Sequence, residues 1–126
     1  MKLGLPGISN AVEDIITARD ILMAKGSGAQ LHLCHISTRD SVKMLALAKK
    51  EGLPVTGEVC PHHFILSEDD IMSDDADYKM NPPLRSPGDV EALKMALKEG
   101  VIDVIATDHA PHSKEEKAKT FAEAPF

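Results

Sequence analysis

Residues 101–112 combine a short apolar run with a polar, histidine-containing end. The run covers 101–106 and is interrupted only by Asp103. It is followed by three side chains that bind metals or transfer protons, Asp108, His109 and His112. A run of this length between a glycine and a proline-containing stretch predicts a buried parallel strand. Because ligands bind at the carboxyl ends of strands in α/β folds, the residues that follow this strand are candidates for a functional site.

Two earlier stretches have the same form. Residues 30–37 are a strand-like run that contains His35 near its end, and residues 55–63 are a second run that ends in His62 and His63. All six histidines of the chain lie in or just after the three runs. We therefore expect three neighbouring strand ends to form one site.

The rest of the chain alternates helical and strand patterns. The predicted helices cover 11–25, 41–51 and 87–99, with helical turns at 68–72 and 115–119, and the predicted strands cover 30–35, 54–59, 78–80 and 101–106. Asn10, Asp40 and Ser86 are the expected helix caps. Alternation at this spacing predicts parallel strands joined by right-handed crossovers. We expect one domain over residues 1–126, either half of an eight-stranded α/β barrel or a small open sheet.

Composition excludes several classes of protein. The net charge of −6 argues against a nucleic-acid-binding surface, which needs clustered Lys and Arg. Cys34 and Cys60 are expected to be free and buried, and His32 to face the flanking helices. The acidic loop at 74–77 lacks the glycine and distal glutamate of a calcium loop. No segment has the length of a signal peptide or a membrane span, so we expect a soluble, cytoplasmic protein.

Histidine and carboxylate ligands that project from separate strand ends are typical of catalytic zinc sites. The metal lowers the pKa of a bound water, and a neighbouring aspartate can accept its proton. The three strand ends of this chain carry this set of residue types, with His35, with His62 and His63, and with Asp108 at their tips. The pattern therefore indicates a catalytic metal site.

Four motifs also carry a resemblance to a known family. They are His35-Ile-Ser37, Glu58-Val-Cys-Pro-His-His63, Lys79-Met-Asn-Pro-Pro-Leu-Arg85 and Ala106-Thr-Asp-His-Ala-Pro-His112. In order and spacing they resemble the second half of a dihydroorotase, in the type I branch of the amidohydrolase superfamily. An allantoinase or a dihydropyrimidinase would share the metal positions, but would not be expected to show both the Asn-Pro-Pro-Leu-Arg turn and the Asp-His-Ala-Pro-His ending.

The resemblance implies a partial (β/α)8 TIM barrel, with about four parallel strands that correspond to strands five to eight of the family. It implies two zinc ions per complete site and reversible hydrolysis of dihydroorotate to N-carbamoyl-aspartate in pyrimidine biosynthesis. By position, His35 and His63 would bind the second metal. Asp108 would bind the first metal and carry a proton to the leaving amide nitrogen, while Asn81 and His112 would hold the substrate.

The chain also departs from the family pattern. The His-x-His-x-Arg motif of the family's first strand and its bridging carboxylated lysine or aspartate are absent. We therefore expect a fragment of the barrel, with no complete binuclear site and little or no turnover on its own.

Two alternatives to a dihydroorotase fragment stay open. One is a non-catalytic half-barrel that serves as a structural subunit, since the family includes inactive homologues that partner aspartate transcarbamoylase. The other is a related cyclic amidohydrolase such as a dihydropyrimidinase or an allantoinase. In every case the unpaired strand edges of a partial barrel favour association, so we expect a homo-oligomer.

Overall fold

The computed structural model describes residues 3–5 and 7–126. Its elements, in chain order, are α1 (Asn10–Ser27), β1 (Leu31–Leu33), α2 (Arg39–Lys50), β2 (Val55–Val59), α3 (Pro61–Ile65), α4 (Pro87–Lys98), β3 (Val104–Ile105) and α5 (Lys114–Lys117). Two 3₁₀ turns lie between α3 and α4, at Glu68–Asp70 and Ala76–Tyr78. Within the described residues, no helix is long and apolar enough to cross a membrane.

The described residues form a three-stranded parallel sheet in the order β1-β2-β3. Leu31 pairs with Val55, and Glu58 pairs with Val104. The predicted α/β fold with parallel strands is therefore confirmed, but the described residues contain three strands where four were expected. Because the strands are parallel, their carboxyl ends lie together, and the segments that follow them leave the sheet at the same end.

The prediction of a strand at 78–80 is wrong, because the 3₁₀ turn at Ala76–Tyr78 occupies this region. The Asp75 carboxylate accepts a hydrogen bond from the Asp77 N–H, and Lys79 N–H donates to the Ala76 carbonyl. These local hydrogen bonds compete with a sheet ladder for the same backbone groups. Pro82 and Pro83, which follow shortly after, have no N–H to donate to a neighbouring strand.

One face of the sheet is covered by helices and carries the core. Leu33, Val55 and Val59 pack there with buried residues of α2 and α4, including Leu45 and Leu93. Gly57 allows the closest approach: a Cβ at this position would lie 2.6 Å from Leu45 Cδ2 and 2.7 Å from Ile36 Cδ1. A side chain in the middle of β2 would therefore displace the core.

The opposite face of the sheet is open, and this corrects two predictions. His32 and Cys34 lie on the open face and are exposed, whereas His32 was expected to face the helices and Cys34 to be buried. Alternation along β1 requires this outcome once Leu33 faces the helices. Both cysteines are free, as predicted, and Cys60 is buried.

The strand predicted over 101–106 is shorter and more exposed than expected. The N–H groups of Val101 and Ile102 both donate to the Ala96 carbonyl, so these residues cap the C-terminal end of α4 instead of pairing in the sheet. Only Val104 and Ile105 pair as a strand, and both are exposed, because β3 is the last strand of the described sheet.

Helix α1 leaves most of its apolar side chains exposed. Ile21 and Ala24 are buried, while five large apolar residues are exposed: Val12, Ile15, Ile16, Leu22 and Met23. The broad apolar stripe in the sequence therefore exceeds what α2 and the sheet cover. Exposed apolar patches of this kind mark interaction surfaces.

The helix caps agree with the sequence at one of three predicted positions. Ser86 caps α4 as expected, and the structure adds a capping box with Asp89 in a helix that begins with Pro87. Ser9 caps α1 in place of Asn10, and Thr38 caps α2 in place of Asp40. Both displaced predictions have the same cause, because a neighbouring hydroxyl accepts the orphan N–H groups of the first turn.

Candidate functional site

The ends of the three strands bring together the residues that the sequence singles out. His35 follows β1, Cys60 and α3 follow β2, and Asp108 follows β3. His35 has a φ of 39° and Asp108 a φ of 49°, which is the left-handed region that side chains other than glycine rarely adopt. Such backbone is stored where the surrounding structure imposes it, and it clusters at functional sites.

His63 has the features of a metal ligand. It lies in α3, is 2% exposed, and its Nε2 donates to the Pro82 carbonyl at 2.8 Å. That hydrogen bond places the proton on Nε2 and the lone pair on Nδ1. Nδ1 is buried and has no hydrogen-bond partner among the described residues. A buried lone pair without a partner is costly, and a bound metal ion is one ligand that would satisfy it.

The electrostatics of His63 support the same chemistry. Burial lowers the pKa of its imidazole to about 4, and the hydrogen bond to Pro82 opposes this shift. The ring is therefore neutral at physiological pH, and neutral imidazole is the form that binds metals.

Cys60 and His62 accompany His63 at the end of β2. One donor atom from each of the three residues lies within 4.8 Å of the others, and the two imidazole rings meet edge to face at 4.2 Å. Burial raises the pKa of the Cys60 thiol to about 11, with Asp108 adding to the shift. Sequence reasoning assigned Cys60 only a packing role. The short helix α3, which was not predicted, begins directly after Cys60 and places His62 and His63 beside it.

Asp108 is close to this group but is not buried in it. It is exposed, and its charge acts on the pKa of both Cys60 and His62. His35 in turn contributes to the lowered pKa of His63. Asp108 and His35 are therefore close enough to affect the pKa values of the groups around His63. Donor groupings within 4.8 Å, among the described residues, include His63 but neither His35 nor Asp108.

The two residues predicted to hold substrate are both exposed, and they lie in different surroundings. Asn81 lines a cavity of about 350 Å³ together with His35 and Pro82. His112 lies beside α5, where its Nδ1 is 3.4 Å from Glu116 Oε2. Asn81 therefore shares a cavity with a predicted metal ligand, and His112 is tethered at the start of a short helix.

A network of buried polar groups fixes the segment that follows His35. Glu13 accepts hydrogen bonds from the N–H groups of Ser37 and Thr38. Arg85 donates to the Ser37 hydroxyl at 3.0 Å and pairs with Glu13 at 3.5 Å. Arg85 was expected to brace its own turn, and it also joins that turn to α1 and to the end of β1. Charge-assisted contacts of this kind hold a site in place.

Glu58 connects the same segment to the open face of the sheet. Its Oε1 accepts from the His35 N–H at 3.3 Å, and its Oε2 lies 3.0 Å from His32 Nε2. Hydrogen bonding to His32 lowers the pKa of the Glu58 carboxyl, against the effect of burial. Sequence reasoning assigned Glu58 no role, although its place one residue before the end of β2 indicates that it reaches this edge.

A larger cavity of about 680 Å³ lies apart from these residues. Its lining is mostly apolar and includes Leu5, Met80, Leu84 and Phe121. It contains none of the predicted metal or substrate residues. We therefore place the candidate site at the strand ends and not in this cavity.

Comparisons with known proteins show what the chain is similar to. No protein-family model matches the chain. A dihydroorotase of Staphylococcus epidermidis is 55% identical over 125 residues, which is 99% of this chain and 29% of that protein. The resemblance to dihydroorotases that the sequence predicts is thereby confirmed. The chain spans less than a third of the length of the curated relatives it matches.

Solved structures are similar to the chain in fold. A D-hydantoinase (dihydropyrimidinase) of a Thermus species superposes with a TM-score of 0.83 and 30% identity, over 93% of this chain and 27% of that one. The inactive dihydroorotase-like domain of a CAD-like multifunctional protein from Chaetomium thermophilum gives a TM-score of 0.63 and 29% identity, over 82% of this chain and 28% of that one. The α/β fold of the chain is therefore similar to that of cyclic amidohydrolases.

Proposed function

We propose that this chain forms one side of the active site of a zinc-dependent dihydroorotase, with β1, β2 and β3 as neighbouring strands in the second half of a (β/α)8 barrel. The observation that carries the proposal is the buried His63, whose Nε2 proton is held by Pro82 and whose Nδ1 lacks a partner among the described residues. The 55% identity to a dihydroorotase supports the choice of reaction.

His63 and His35 would hold one zinc ion, and Asp108 would hold the other. When bound, zinc supplies a Lewis acid that polarises a carbonyl and lowers the pKa of water to near 7. The neutral ring of His63 and the left-handed backbone of His35 and Asp108 support these roles. The remaining ligands of a two-metal site would come from a part of the barrel that this chain does not contain.

The reaction adds water across the ring amide of dihydroorotate. The oxygen of water forms a bond to the carbonyl carbon, the ring C–N bond breaks, and the nitrogen leaves with a proton. Asp108 would accept the proton from water and deliver it to the nitrogen, which its exposed position beside the histidines allows. Asn81 and His112 would position the carboxylate and ring of the substrate.

The 126-residue chain alone would have little or no activity. It would need the other strands of the barrel, either from the same polypeptide or from a partner. The exposed apolar residues of α1 and the open sheet support association, including a homo-oligomer or a complex with aspartate transcarbamoylase. The setting would be pyrimidine biosynthesis in the cytoplasm.

A chimera tests the proposal directly. The 125-residue segment of the Staphylococcus epidermidis dihydroorotase that aligns with this chain is replaced by this chain. We expect the chimera to hydrolyse dihydroorotate and its His63→Ala and Asp108→Asn variants to lose at least about a hundredfold in kcat/KM. Asp77→Asn, which alters an exposed aspartate of a 3₁₀ turn, is the matched control and should retain activity.

Substrate choice separates the alternatives. The D-hydantoinase similarity favours a second candidate, a dihydropyrimidinase-like enzyme, for which a chimera would hydrolyse dihydrouracil in preference to dihydroorotate. A folded, zinc-loaded chimera that hydrolyses neither compound would contradict the catalytic proposal and favour a structural half-barrel. Metal analysis and circular dichroism of the chimera establish that it is folded and loaded.

A further inference from the structure

We propose that His32, Cys34 and Glu58 form a second site for a zinc-class divalent cation, on the open face of the sheet and beside the strand-end site, since His32 and Cys34 line the same cavity as His35 and Asn81. One donor atom from each residue lies within 4.8 Å of the others. None of these three residues takes part in the proposed reaction. The inference adjoins the site of the dihydroorotase proposal, but its test uses these three donors, so failure of one proposal can be distinguished from failure of the other.

The sheet itself places the three side chains together. His32 lies in β1, Cys34 follows β1 by one residue, and Glu58 lies in β2. The side-chain period of two directs His32 and Cys34 to one face, and the pairing of His32 with Thr56 puts Glu58 on the same face. Ligands on adjacent strands are held more rigidly than ligands on loops.

The separation of the donors suits a metal ion. His32 Nε2 and Glu58 Oε2 are 3.0 Å apart. Two ligands of a tetrahedral zinc ion, each at ~2.0 Å from the metal, are separated by roughly 3.3 Å. A cation can therefore replace the proton between these two atoms with a shift of a few tenths of an ångström.

Thr56 determines which nitrogen of His32 is available. The Thr56 hydroxyl lies 2.7 Å from His32 Nδ1 and 3.5 Å from the Leu31 carbonyl oxygen. When the hydroxyl donates to Leu31, its oxygen accepts the Nδ1 proton, and the lone pair of Nε2 faces the Glu58 carboxylate. In that tautomer a cation would bind between the two atoms, and in the other tautomer it would displace the Nε2 proton that is donated to Glu58. A hydrogen bond from the second ring nitrogen is also how metal-binding histidines are oriented.

The identity of the donors selects the ion. An imidazole, a thiolate and a carboxylate form a ligand set for zinc and related transition metals, whereas calcium and magnesium prefer oxygen alone. A thiolate and a carboxylate together balance the charge of a divalent cation. Three protein ligands leave one position of a tetrahedral ion open to water, and the exposure of His32 and Cys34 allows that access.

The site would also be coupled to the segment that holds His35. Glu58 accepts a hydrogen bond from the His35 N–H through Oε1 while its Oε2 faces His32. One oxygen of Glu58 thus faces the proposed cation site and the other contacts His35. A cation bound to Oε2 would leave Oε1 in contact with the His35 N–H.

Cobalt(II) titration of the full 126-residue chain tests the proposal, because a cobalt–thiolate bond produces a charge-transfer band in the near ultraviolet. We expect the band in the unaltered chain and in His63→Ala, and its loss in Cys34→Ser. Cys60→Ser is the matched control and should retain the band. His32→Gln and Glu58→Gln should weaken cobalt binding by at least about tenfold.

Alkylation provides a second readout that does not depend on the band. Zinc should protect Cys34 from iodoacetamide in the unaltered chain and should protect it less in His32→Gln. A band that survives Cys34→Ser and disappears in Cys60→Ser would assign the thiolate to the strand-end group and overturn the proposal. Absence of both band and protection would also overturn it, and would leave the cluster as a protonated hydrogen-bond network.

Discussion

Asp89 and Asn10 are joined by two hydrogen bonds of 3.2 and 3.3 Å, although 79 residues separate them along the chain. The same carboxylate accepts from the Arg39 N–H at 2.9 Å and from the Ser86 hydroxyl at 2.6 Å. One buried side chain therefore connects the starts of α1, α2 and α4. Burial would raise its pKa, but these hydrogen bonds outweigh burial and lower it.

Asp89→Ala should destabilise the protein far more than the loss of a helix cap alone. We expect the free energy of unfolding to fall by about 3 kcal/mol, because a cap is lost and the Asn10 amide and the Arg39 N–H lose a buried acceptor. Urea denaturation measures this change. Asp70→Ala is the control, since Asp70 forms a similar capping box with Ser67 but is exposed. Equal losses in the two variants would contradict the connecting role of Asp89.

Gly57→Ala should disturb the core between the sheet and α2. The added Cβ would lie within 2.7 Å of the ends of Leu45 and Ile36, both of which are almost fully buried. We expect a loss of about 1–3 kcal/mol in the free energy of unfolding. Gly26→Ala in α1 meets no atom within 4 Å and should instead stabilise the chain by about 1 kcal/mol. Thermal unfolding of both variants gives the comparison, and a neutral Gly57→Ala would refute it.

The two cysteines should differ sharply in reactivity when metal is removed by a chelator. Cys60 is buried and its pKa is raised to about 11, so its thiolate is scarce at neutral pH, whereas Cys34 is exposed. Iodoacetamide labelling followed by mass spectrometry should find one modified residue in the native chain, Cys34. Cys34→Ser should abolish native labelling. Labelling of Cys60 at a comparable rate would mean that α3 opens readily.

The metal-free protein should lose stability as the pH falls from about 6.5 to about 4. In this range His63 is neutral in the folded state but protonated in the unfolded state. An unfolded histidine takes up a proton near pH 6.5, and folded His63 does so near pH 4. The unfolded state binds more protons between these values, so the free energy of unfolding falls as the pH decreases from about 6.5 to about 4. The full effect is about 3 kcal/mol.

Denaturation curves in the presence of a chelator would measure this pH dependence. His63→Gln has no group that titrates in this way, and we expect that component to disappear in the variant. If the unaltered chain and His63→Gln lose stability in parallel over this range, the buried neutral ring is not its source.

The sequence predicted the helices well because their signals are local. The capping box at Ser86 and the glycines that end α2 and α4 act within a few residues, and the structure places these elements close to the predicted ranges. The face that His32 occupies was not predictable in this way. It depends on which side of the sheet the helices cover, and that is decided by the packing of Leu33 with residues distant in sequence.

At the strand ends, too, local features were predictable from the sequence and long-range contacts were not. The identity and spacing of His63 are visible in the sequence, and the resemblance adds a role for it. The contact between His63 and Pro82 spans 19 residues and depends on α3, which is too short to leave a helical pattern. The sequence pattern therefore identifies His63 as a candidate ligand but does not predict the hydrogen bond to Pro82 that orients its ring.

The left-handed backbone at His35 and Asp108 has a consequence for how sequence variation at these positions would be selected. A screen that rewards abundance alone would enrich glycine at both, since glycine adopts this backbone without strain. A screen of the chimera that rewards growth dependent on the proposed reaction would remove the same variants, if His35 and Asp108 bind metal as proposed. The two positions would then stand out in paired mutational scans as sites where fitness and folding rank the same substitutions in opposite order.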